Sequence, residues 1–70
     1  MSVSITIFKS ELVGKSKLEN QILQLSKAVR ALEDTYVYTP LSGKVVEFLH
    51  LLRDNQIMYS SHFETPENKS

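Results

Sequence analysis

Glu47 and His50 stand three residues apart in a segment of helical periodicity. Glu-x-x-His is the spacing with which helical bundles hold a pair of iron or manganese ions. On a helical wheel, however, both residues lie roughly 140–160° from the centre of the apolar stripe of the same segment. They therefore face water, where His50 is free to pair with Glu47 or with Asp54 one turn on. The second histidine, His62, stands near the polar C-terminal end and reads as a surface residue or as filling a helix-end contact. Two histidines and no cysteine are too few for most zinc sites and exclude thiol chemistry. Gly14 and Gly43 are the two glycines, so neither a phosphate-binding loop nor a dinucleotide fingerprint can be written. No Gly-x-Ser-x-Gly nucleophile elbow occurs. These observations assign no catalytic, metal-binding or cofactor-binding residue, and the chain is expected not to be an enzyme.

Basic residues offer a different chemistry. Lys15 and Lys17 cluster with Lys9 ahead of the main helical segment, and Lys27 and Arg30 follow on its later part. Duplicated in a dimer, Lys15, Lys17, Lys27 and Arg30 would form a stripe able to contact phosphates. Glu11, Glu19, Glu33 and Asp34 are interleaved with them and dilute the patch. Eight Lys and Arg balance eight Asp and Glu, so the chain has no long-range field to gather nucleic acid. No apolar run approaches the roughly 20 residues that cross a bilayer. The first residues lack the positive start and long apolar core of a signal peptide, and Lys44, Glu47, Arg53 and Asp54 do not make the basic rim of a membrane-surface helix. The expectation is a soluble, cytoplasmic protein.

The elements that carry these residues follow from apolar spacing. Leu18, Ile22, Leu25, Val29, Leu32 and Tyr36 recur in steps of four and three, a heptad seam. Ser16 and Glu19 match the capping box that starts a helix. The spacing predicts helix 1 over about 16–34. Thr39-Pro40 supplies an N-cap and a first-turn proline, and Leu41, Val45, Phe48, Leu49 and Leu52 fall on one face. The spacing predicts helix 2 over about 40–60. Residues 2–8, SVSITIF, alternate, with Val3, Ile5 and Ile7 on one side. They predict a short strand, with a helical first turn or an ordered extended arm as the alternatives. Tyr36–Tyr38 and Ile57–Phe63 are the other strand-like pieces, and neither carries a hairpin signal. Ser10 and Gly14 suit the ends of a short helical turn.

The expected fold is all-α: an antiparallel two-helix hairpin with an N-terminal arm, one domain over residues 1–63 and a disordered polar tail over 64–70. Seventy residues bury only about 60% of the surface the unfolded chain exposes, and without disulfides association is the remaining staple. Leu23 lies off the helix 1 seam, Val46 and Leu51 lie off the helix 2 stripe, and Met58, Tyr59 and Phe63 add further apolar surface. Burying each is worth roughly 1.5–3 kcal/mol, so leaving all six in water would forgo on the order of 10 kcal/mol, the scale of a whole domain's stability. These six are the expected partner-binding residues, in an oligomeric helical bundle or on another protein. Tyr36, Tyr38, Tyr59 and Phe63 are either interface anchors or caps on the core. No motif identifies a family. The expected function is a small protein–protein interaction module, a regulator, adaptor, inhibitor or co-chaperone that buries an apolar helix face in a protein partner or in itself. The alternative is a homodimeric nucleic-acid-binding regulator using a basic face of helix 1.

Overall fold

The alternating segment at the start of the chain is the centre of a sheet. In the computed structural model, which describes residues 2–64, Ser2–Phe8 forms β1. A 3-10 turn (Lys9–Leu12), α1 (Ser16–Gln24), β2 (Ser26–Ala31), β3 (Thr35–Pro40), α2 (Val45–Asp54) and β4 (Tyr59–Glu64) follow. The four strands make one sheet in the order β2-β3-β1-β4, with every neighbouring pair antiparallel. Apart from the 3-10 turn, this is the β-α-β-β-α-β element order of ferredoxin-like, split β-α-β folds.

Side-chain alternation on β1 decides which face is buried. Ile5 and Ile7 are wholly buried, and Val3 packs beside them. Tyr38 stands opposite Ile5 on β3. Leu18 and Ile22 of α1 and Phe48 and Leu52 of α2 close over these residues, with Leu12 and Ile57 completing the same cluster. Both helices thus cover one face of the sheet. Ser4 and Thr6 of β1, with Val37 and Thr39 beside them on β3, form the opposite, half-exposed face, the arrangement usual for an antiparallel sheet.

The all-α helical hairpin and its coiled-coil seam are overturned: the protein is α+β. Helix 1 stops at Gln24 rather than near 34. Leu18 and Ile22 are buried as the seam requires, but Val29 lies on β2 and Leu32 in the following turn, each 47% exposed. The physical reason lies in β1. A helix running to residue 34 would leave its ladder of N–H and C=O groups without a partner on that side. β3, rich in β-branched and aromatic residues, supplies those partners, and β4 supplies the other side. The β2–β3 hairpin turns through Glu33 and Asp34, closed by the Leu32 N–H donating to the Thr35 carbonyl at 2.7 Å. Neither turn residue has positive φ, so the Asn-Gly or Asp-Gly signature of the common hairpin turns is absent.

Helix 2 also starts later than its punctuation suggests. Pro40 ends β3, where its missing N–H is tolerated, and Gly43 (φ 81) makes the turn into α2. Lys15 and Lys44, not Ser16 and Thr39, occupy the N-cap positions, and neither cap has a side-chain hydrogen bond. Helix 2 ends at Asp54, not near 60. The Gln56 N–H donates to the Arg53 carbonyl and the Ile57 N–H to the Leu52 carbonyl, with Gln56 at φ 57. This is a Schellman stop, with Ile57 and Leu52 sharing the core as its apolar contact. The expected polar tail lies outside the described residues except Glu64, whose backbone ends β4.

Candidate interaction surface

β4 is an edge strand: β1 lies on one side, and no strand pairs with the other among the described residues. Its register with β1 fixes where each side chain stands. Tyr59, Ser61 and Phe63 pair with Ile7, Ile5 and Val3 and share the helix-covered side. Ser60 and His62 pair with Thr6 and Ser4 and share the open side. On the helix side a shallow groove runs between α2 and β4, lined by Val46, Leu49, His50, Arg53 and Tyr59. Val46 is 64% exposed and Phe63 55%. Apolar surface therefore flanks a row of backbone groups able to accept an added strand, as exposed sheet edges do.

The six expected partner-binding residues divide among several surfaces. Val46 and Tyr59 share the α2–β4 groove, and Phe63 stands on the same side of β4. Met58 lies with Phe8, Thr6 and Ser60 at the open side of the sheet, with Tyr59 at the boundary. Leu51 packs against the core and lines a different groove, between α1 and α2, with Gln21, Gln24 and Leu25. Leu23 lies on α1, partly exposed and in none of these groups. Leu49, on the apolar face of helix 2 by its wheel position, packs against the core and also lines the α2–β4 groove. Phe8, 53% exposed, was hidden by its place at the end of an alternating apolar run. Alternation of Tyr59, Ser61 and Phe63 was the signal that could have placed β4.

Among the aromatics, Tyr38 belongs to the core, and Tyr36 packs against it at 6.1 Å between ring centroids. The Lys9 ammonium sits 5.4 Å from the centre of the Tyr36 ring, within cation–π range.

The basic residues do not form a face of helix 1. Lys15 caps α1 and Lys17 lies in its first turn, whereas Lys27 and Arg30 belong to β2. Arg30 pairs with Val37, which places it on the open side. Lys27 stands by a hollow at the far end of the sheet, with Val3, Pro40 and Val45. Glu47 pairs with Lys44 at 3.2 Å rather than with His50. His50, Glu47 and Asp54 share the open groove between the helices, but no group of three or more metal-ligating side chains converges among the described residues. No described helix is long and apolar enough to cross a membrane.

Comparison with protein-family models, with curated proteins and with solved structures returned no match.

Proposed function

We propose that this protein is a small non-enzymatic interaction module, acting as a regulator, adaptor, inhibitor or co-chaperone, that binds protein through the β4 edge and the apolar strip beside it. One observation carries the proposal: a strand edge, unpaired among the described residues, flanked on the same side by exposed Val46, Tyr59 and Phe63. Backbone hydrogen bonds along an edge give affinity, and alternate side chains give specificity. Exposed apolar contacts at the centre of an interface are where binding energy concentrates. The cytoplasm is the proposed setting, in keeping with a cysteine-free chain.

A photo-crosslinking residue at position 63 tests the proposal in the cell of origin, with the same residue at position 17 as a control on a remote surface. Discrete protein adducts from position 63 and none from position 17 are expected. Equal labelling from both positions, or no adduct from position 63, would refute it.

A further inference from the structure

We propose that the β4 edge is completed by a second copy of this chain, whose own β4 pairs with it antiparallel about a two-fold axis through Ser61. The inference rests on the interaction reading above and names its partner.

The two edges of the sheet differ in how they are guarded. β2 carries Lys27 and Arg30, and its pairing is interrupted between Ser26 and Ala28. Charges and bulges are the usual devices that keep an edge from pairing with another chain. β4 has no lysine, arginine or proline, its one acid is its last residue, Glu64, and its register with β1 is unbroken. The chain's formal net charge is zero, so like copies are not held apart by their overall charge.

The side chains of β4 complement themselves. A two-fold interface is isologous, so each residue i meets a residue j and each j meets i. With the axis at Ser61, Tyr59 of one copy stands opposite Phe63 of the other, twice, and Ser60 opposite His62, twice. The aromatic pairs fall on the helix side, where each copy leaves Tyr59 and Phe63 exposed. Cross-strand aromatic pairs are among the stabilising ones. Centring the axis on Ser60 or on His62 separates the aromatics from each other. A slip to an odd register turns the partner's helices to the other side of the sheet. The Ser61 register keeps all four helices on one side and extends the sheet to eight strands, with the Val46 and Leu49 groove of each copy alongside the joined strands.

The experiment is sedimentation velocity on the full chain from low micromolar to millimolar concentration, with Ser61→Lys and Ser61→Glu. Ser61 is exposed, and circular dichroism checks that each variant folds. Wild type is expected to dimerise. Each variant sets like charges directly opposite each other and should raise the dimer dissociation constant by roughly tenfold or more, and mixing the two variants should restore the dimer. A second readout uses the absence of cysteine: mild oxidation should link Ser61→Cys chains into covalent dimers, whereas Ser16→Cys on α1 should stay monomeric. A wild type that remains monomeric throughout, or Ser61 variants that dimerise as tightly as wild type, would overturn the proposal. If wild type is monomeric while position 63 crosslinks to a different protein in the cell, the second-copy inference fails and the interaction reading stands. If position 63 captures nothing, both fail.

Discussion

The ring of Tyr38 on β3 lies against the ring of Phe48 on α2, with centroids 5.8 Å apart and planes tilted by 51°. This offset, tilted contact is a favoured geometry for two aromatic quadrupoles, and it ties α2 to the middle of the sheet. Both residues are wholly buried. Phe48→Ala should therefore cost about 3–5 kcal/mol, the loss of a large apolar side chain plus the cavity it leaves. Urea denaturation measures this directly, and a loss under about 1 kcal/mol would place Phe48 outside the core.

Burial gives Tyr38 a pH signature. Desolvation, with smaller contributions from the negative charge of Glu19 and from Tyr36, pushes its phenol up to about 12 from the ordinary 10.0. Between those values the unfolded chain has released the proton that the folded chain still holds. Stability from this group is thus complete below pH 10 and falls as pH rises towards 12. A shift of this size corresponds to roughly 2–3 kcal/mol. Tyr38→Phe should flatten that part of the stability curve and remove a late-titrating phenol from the ultraviolet absorbance. An unchanged late titration would assign it to another tyrosine.

Two residues of the seam separate the α+β fold from a helical hairpin. Ile22 is fully buried and Val29 is 47% exposed on an edge strand. Ile22→Ala should cost about 2–5 kcal/mol, while Val29→Ala should cost less than about 1 kcal/mol. Equal, large losses at both positions in chemical denaturation would indicate a continuous helix instead.

Gln56 holds a left-handed backbone (φ 57) at the end of α2, a conformation that costs a residue with a Cβ roughly 1–2 kcal/mol. Gln56→Gly should raise stability by about 0.5–1 kcal/mol, after the greater freedom of glycine in the unfolded chain is subtracted. The thermal midpoint is the simplest check, and a lower midpoint would contradict the strain. Gly43 is the converse case. A Cβ there meets nothing within 4 Å, so Gly43→Ala should destabilise by about 1 kcal/mol through the backbone alone.

Residue types and spacing alone were enough to determine the local pattern. They set Val3, Ile5 and Ile7 on one side of an extended segment, put Leu18 and Ile22 on the buried face of a helix, and gave Phe48 and Leu52 to the apolar face of another. They also noted Tyr36–Tyr38 and Ile57–Phe63 as strand-like pieces, although the same spacing carried helix 2 on to about residue 60, and they singled out Val46, Tyr59 and Phe63 as surplus apolar residues. Local spacing did not reveal that those two pieces flank β1. The 4-3 steps of the seam run on past Gln24 by coincidence of composition, and neither flanking strand announces itself with a glycine-containing hairpin turn. Only the tertiary structure decided between helix and strand for residues 26–40, because that choice depends on satisfying the backbone groups of a strand nearly thirty residues away. It also decided which apolar residues share a surface. Val46 and Tyr59 stand thirteen apart in sequence and meet only because β4 returns beside β1, beneath α2.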